Sequence, residues 1–107
     1  MPWIYLVIAG LLEIVWAFFM KKSLGFTLLV PSMITIVTMI ASFVLLSIAM
    51  RSLPLGTAYT VWTGIGAVGA FMVGVVLLGE AVTLMRVIAA LLIVAGIVLM
   101  KLSSSTA

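Results

Sequence analysis

The chain has 107 residues, of which 67% are hydrophobic and 7% charged, and its net charge is +3. A soluble domain carries about 25% charged residues, and a chain this short cannot hide so much apolar surface from water. A water-soluble fold is therefore excluded, and lipid is the solvent for most of the sequence.

The basic residues form no stripe or cluster of the kind that phosphate binding needs, so nucleic acid is not an expected partner. Cysteine and histidine are absent, which excludes disulfides, thiolate metal sites and imidazole relays. With no nucleophile–base pair and no metal set, an enzyme is not expected, nor is a cofactor.

In chain order, four apolar runs are separated by charges and turn residues. The first covers about residues 3–20 and ends at Lys21-Lys22-Ser23-Leu24-Gly25. The N-terminus lacks a basic region before its apolar run, and that run contains Glu13, so it reads as a retained span rather than a signal peptide. The second run covers about 31–50, with an earlier start near Thr27 open, and Pro31 is tolerated in a first helical turn. The third covers about 57–78, after Arg51-Ser52-Leu53-Pro54-Leu55-Gly56. The fourth covers about 84–101, after Gly79-Glu80-Ala81-Val82-Thr83, and Lys101 closes it as a headgroup anchor. Each run is long enough to cross a hydrocarbon core of about 30 Å as a helix. Helices are expected because a backbone in lipid must satisfy its own hydrogen bonds. The expected fold is one all-α integral membrane domain of four transmembrane helices spanning 1–107, with a polar tail, Ser103 to Ala107, that frays. Glu80, just before the fourth run, is expected to favour that helix's dipole.

Four spans place both termini on one side. Lys21, Lys22 and Arg86 then share one side, and Arg51 and Lys101 the other. Three against two barely discriminates between orientations under the positive-inside rule. Either one topology is weakly preferred, or both orientations insert and pair antiparallel. Four helices also enclose an aqueous path poorly, so transport would need at least a dimer.

Six of the seven charges lie between the runs or near their ends, and Glu13 is the exception. A charged side chain at mid-membrane costs roughly 2.5–3.5 kcal/mol on insertion scales. A carboxylate escapes part of that cost by taking up a proton or by pairing with a cation. Proton and cation then compete for one site, which is the minimum chemistry of an antiporter. The alternative is a carboxyl that packs helices through a bond to a neighbour.

Helical spacing places Leu6, Ala9, Gly10, Glu13, Trp16, Ala17 and Met20 on one face. Gly10 and Ala17 are expected to leave open space around the carboxylate, and Trp16 adds a π-face and an N–H donor. In the third run, Tyr59, Trp62, Thr63 and Gly66 share a face that would attract a cation. Tyr59 also fits an interfacial aromatic belt. Thr35, Thr38 and Ser42 lie on about one face of the second run, with Met39 and Phe43 beside them. Ser42 would bond either a carboxylate or aromatic partner, or its own backbone four residues earlier.

Gly64-Ile65-Gly66-Ala67-Val68-Gly69 has the spacing of a dinucleotide loop, but it lies inside an apolar helix with no preceding strand, so that function is rejected. Gly66, Ala70 and Gly74 instead form a small-residue stripe. Ala89, Leu92, Ile93 and Gly96 form a smooth face of the fourth run, suited to an oligomer interface.

Gly10-Leu11-Leu12-Glu13-Ile14-Val15-Trp16-Ala17 and Leu53-Pro54-Leu55-Gly56-Thr57-Ala58-Tyr59-Thr60-Val61-Trp62-Thr63-Gly64-Ile65-Gly66 closely resemble the small multidrug resistance family. Trp16, three residues after the glutamate, resembles the guanidinium-exporter branch, whereas the drug-exporting branch typically has glycine there. The bulky Phe18, Phe19 and Met20 depart from the branch pattern and bear on substrate preference.

The resemblance implies an antiparallel, dual-topology homodimer in a bacterial inner membrane that exchanges protons for guanidinium-like cations. It implies that Glu13 binds substrate and proton competitively, that Trp16, Ser42, Tyr59 and Trp62 hold or line the site, and that Met39 and Phe43 form a portal towards the lipid; helical spacing adds Gly10 and Thr63 to the candidate site. It also implies that Ala89, Leu92, Ile93 and Gly96 form the dimer face. A quaternary-ammonium exporter and a non-transporting membrane subunit are the alternatives.

Overall fold

The computed structural model describes residues 2–104 and contains four helices: α1 (Pro2–Lys22), α2 (Leu29–Ala49), α3 (Leu55–Leu78) and α4 (Leu84–Ser104). No strand is present among the described residues. At 1.5 Å per residue the helices are roughly 32–36 Å long, which matches the hydrocarbon core with a little tilt. All four are apolar enough to cross a membrane.

The helices run past the expected ends. α1 continues through Lys21 and Lys22, because long basic side chains reach the headgroups without ending the helix. α2 begins at Leu29, so Pro31 is its third residue, still within the first turn, whose N–H groups lack partners anyway. α3 begins right after Pro54, which supplies the extended N-cap backbone. α4 includes Ser103 and Ser104, so the helix extends into the expected polar tail. The rest of the expected frayed tail, Ser105, Thr106 and Ala107, lies outside the described residues.

Close contacts fix the directions. Gly10 meets Ile65, Glu13 meets Gly66 and Ile14 meets Gly69, so α1 and α3 run parallel. Ser42 bonds Ala9, and Gly64 of α3 meets Ile93 and Ile97 of α4. The ammonium of Lys101, at the end of α4, sits 5.5 Å from the ring centre of Trp3, at the start of α1. The chain thus goes up, down, up, down. Lys21, Lys22, Glu80 and Arg86 share one end, and Arg51 and Lys101 share the other.

The helices are arrayed nearly in a row, α2–α1–α3–α4: α1 packs against both α2 and α3, α2 and α3 barely meet, and α4 packs on α3. The result is a slab 45 × 34 × 16 Å. Its core is Leu6, Ala9, Leu46, Ala49, Ala58, Val61 and Trp62, all from the first three helices. No described residue of α4 is buried.

Two connections have specific geometry. Between α1 and α2, Leu24, Gly25 and Phe26 all have φ between 51° and 74°. This left-handed turn is closed by N–H groups of Thr27 and Leu28 donating to the Ser23 carbonyl. The buried Ser23 hydroxyl donates to the Met20 carbonyl and accepts the Phe26 N–H. At the end of α3, Gly79 adopts φ 69°, and the N–H of Glu80 returns to the Gly74 carbonyl at 3.0 Å. Glu80 therefore folds back over Gly74 of α3. The Thr83 hydroxyl caps α4, accepting the Arg86 N–H at 3.2 Å.

Candidate functional site

Glu13 lies near the middle of α1 on the side facing α3, and its position is set by a glycine. A Cβ on Gly66 would collide with the carboxyl of Glu13 and would sit 2.8 Å from its Cγ. The carboxyl therefore lies directly on the α3 backbone. One turn earlier on α1, Gly10 accepts the side chain of Ile65, the residue before Gly66, whose Cγ2 would lie 2.6 Å from a Cβ there. The expected open space beside Glu13 at Gly10 is filled by Ile65, because α1 and α3 approach closely. Ala17 does border open space, on the other side of Glu13, towards the Lys21 end of α1.

Two polar atoms at this level are buried without a hydrogen-bond partner among the described residues: Glu13 Oε1 and Trp16 Nε1. One is an acceptor and the other a donor. An unpaired buried polar group costs about 1–3 kcal/mol, and more when charged. The helix-packing alternative for Glu13 required a bond to a neighbour, which Oε1 does not make.

Beside Glu13, four rings join the first three helices. Trp16 and Phe43 meet edge-on with centres 6.3 Å apart, Phe43 and Trp62 lie 5.6 Å apart, and Trp62 and Tyr59 lie 5.7 Å apart. Trp62 is buried and Tyr59 is 53% exposed. The Trp62 indole N–H donates to Ser42 Oγ at 3.0 Å, and the Ser42 hydroxyl donates to the Ala9 carbonyl at 2.7 Å. This relay crosses α3, α2 and α1. Ser42 thus bonds an aromatic partner and a foreign backbone. Back-bonding to the preceding turn belongs to Thr35 and Thr38, which donate to Pro31 and Ile34.

Among the residues expected at the site, Glu13, Trp16, Ser42 and Trp62 come together, with Phe43 bridging the two tryptophans. Met39 is half-buried on α2, and Phe43, which packs on both tryptophans, is still 46% exposed. Thr63 is directed elsewhere. It lines a groove of about 440 Å³ between α3 and α4 with Tyr59, Gly64, Ile93 and Gly96. Within one chain, then, the face holding Tyr59, Trp62, Thr63 and Gly66 is split: Trp62 and Gly66 turn to α1 and α2, and Thr63 turns to α4. The fourth-helix face is also divided. Ile93 packs towards Gly64 of α3, whereas Leu92 is 67% exposed. Gly96 has no atom within 4 Å of a would-be Cβ.

Gly66 as the cradle of Glu13 and Phe43 as the link between the tryptophans are the two additions. Gly66 was signalled by its place four residues after Trp62. Its contact with Glu13 depends on the α1–α3 register, which spacing within one helix does not contain.

The small multidrug resistance protein family model matches residues 1–94. The chain belongs to the small multidrug resistance family. Within it, guanidinium exporters of Yersinia pseudotuberculosis serotype I (strain IP32953) and Escherichia coli (strain K12) are each 60% identical over 104 residues. That covers 97% of this chain and 100% and 99% of theirs. The guanidinium exporter of Salmonella typhimurium matches to the same degree. The likeness to the guanidinium-exporter branch drawn from the sequence is borne out. With four apolar helices of spanning length, this small multidrug resistance protein is a multi-pass protein of the bacterial inner membrane.

Proposed function

We propose that this protein is a proton-coupled antiporter that exports guanidinium and small guanidinyl cations. The observation that carries the proposal is the buried, unpartnered Oε1 of Glu13, held against Gly66 beside the unpartnered N–H of Trp16. A deprotonated carboxylate at that depth needs a counter-cation, and a protonated one does not. Guanidinium supplies planar, forked N–H donors that match a carboxylate's two oxygens, which a quaternary ammonium cannot offer. The four-ring wall adds π-faces for the same cation. The 60% identical relatives named guanidinium exporters support the choice of substrate.

The slab encloses no path by itself, so the working unit is an antiparallel homodimer with both Glu13 carboxylates in one cavity. Two like charges there would titrate as a coupled pair, and proton loss and cation entry become one event. Ser42 holds Trp62 in place, Tyr59 extends the ring wall, and Gly10 sets the α1–α3 spacing. Thr63 turns from Glu13 of its own chain, so any contact with substrate comes through the partner copy. The portal is formed by Met39 and Phe43, and the α4 face of Ala89, Leu92, Ile93 and Gly96 joins the two copies.

The test is Glu13→Gln in proteoliposomes. Guanidinium uptake driven by a pH gradient should fall to the level of protein-free vesicles. Retained proton-driven uptake would overturn the proposal.

A further inference from the structure

A second acid, Glu80, lines open space in this structure. At the end of the slab that carries Lys21 and Lys22, a cavity of about 330 Å³ opens between α1 and α3. Its rim holds Glu80 and Lys21, its walls include Phe18 and Phe71, its base is Gly74, and its inner end reaches Ile14, the residue after Glu13.

The placement of Glu80 follows from the chain. The left-handed Gly79 reverses the backbone, and the Glu80 N–H donates to the Gly74 carbonyl. The carboxyl then lies across Gly74, with Cδ at 2.8 Å from a would-be Cβ. A free carboxylate at a helix end extends into water, but this one is turned back along the helix to line the cavity. No ion pair neutralises it among the described residues. Phe18 and Phe71 also line the cavity, and one face of the Phe18 ring is met by the Lys22 ammonium, 5.6 Å from its centre.

We infer that Glu80, Phe18 and Phe71 form a second, peripheral cation site, where the substrate is held at the membrane boundary before it moves to Glu13. A planar cation with N–H donors fits it: the carboxylate accepts a forked pair of hydrogen bonds, and the phenyl rings supply π-faces. Lys21 is the fixed charge at the rim that limits how tightly the cation is held, so the site loads without trapping. In an antiparallel dimer one such site faces each side of the membrane. This inference rests on the proposed guanidinium export and deepens it.

The test compares guanidinium uptake kinetics in proteoliposomes. Glu80→Gln should raise KM about five- to tenfold, the scale of one partly exposed charge-assisted hydrogen bond, with kcat within twofold of the parent. Gly74→Ala keeps the charge but displaces the carboxylate from the cavity, and should raise KM by a similar factor. Where Gly74→Ala does not fold, Phe71→Leu, which keeps the wall apolar and removes its ring, should raise KM in its place. A Glu80→Gln KM within twofold of the parent would overturn the site. So would a raised KM in Glu80→Gln with an unchanged KM in Gly74→Ala, or in Phe71→Leu where that replaces it. Glu80 would then act only through the general surface charge. A parent protein that moves no guanidinium sinks both the proposed function and this site. A parent that transports, with Glu80→Gln unaffected, sinks this site alone.

Discussion

Adding one methyl group at Gly66 tests how the Glu13 carboxyl is held. In Gly66→Ala the new Cβ would overlap the carboxyl and would lie 2.8 Å from Glu13 Cγ. Either the carboxyl swings off α3, or α1 and α3 separate and disturb the Gly10–Ile65 and Ile14–Gly69 contacts on either side. Overpacking of this kind costs about 1–3 kcal/mol. If that cost falls on the cation-binding geometry, guanidinium affinity drops by about 5- to 150-fold, at 1.4 kcal/mol per factor of ten. The assay is a guanidinium titration of purified protein followed by tryptophan fluorescence, with helicity and oligomer size checked alongside. Gly56→Ala is the matched control, in the same helix but with nothing within 4 Å of the new methyl. It should bind as the parent does. Parent-like affinity in Gly66→Ala would refute the claim that this glycine sets the carboxyl's position.

Two further outcomes follow from other parts of the fold. Ser42→Ala leaves the buried Trp62 N–H without its acceptor and cuts the link from α3 through α2 to Ala9. It should lower stability by about 0.6–2 kcal/mol, the range for interhelical hydrogen bonds in membranes. Thermal unfolding in detergent would register this as a lower midpoint, and a parent-like midpoint would show that the relay does not hold the helices. Adding two lysines between Arg51 and Pro54 raises the basic count at that end from two to four, against three at the other. Reporter fusions should then shift towards the orientation with this loop in the cytoplasm, and wild-type fusions that already show a single orientation would exclude a dual-topology dimer.

Much of the fold is legible in the residue pattern, because lipid demands long, uninterrupted helices. The end positions are less so. Lys21 and Lys22 look like a stop but lie within α1, since a basic side chain can reach the headgroups from a helical backbone. The importance of Glu13 is also visible, because no other charge lies so far inside a run. Which side chains surround it is a matter of register between helices. Gly10 looks like an opening until Ile65 is placed against it, and Thr63 looks like a companion of Trp62 until α4 is placed beside it. Glu80 conceals its contact with Gly74 for a related reason. Its distance to the next helix is plain from the sequence, but the left-handed Gly79 turns it back to the helix before.

The row order of the helices has a consequence for how the protein is made. Every core residue, and every ring around Glu13, belongs to α1, α2 or α3. The ribosome releases those helices first, so the carboxylate and its surroundings can assemble before α4 has entered the bilayer. The last helix then arrives at a finished three-helix body, packed along α3 with Lys101 reaching Trp3 of α1, and with none of its described residues buried. Its sequence answers to what lies outside the chain more than to what lies within it, and substitutions there would act on the proposed pairing of two copies before they act on the three-helix body.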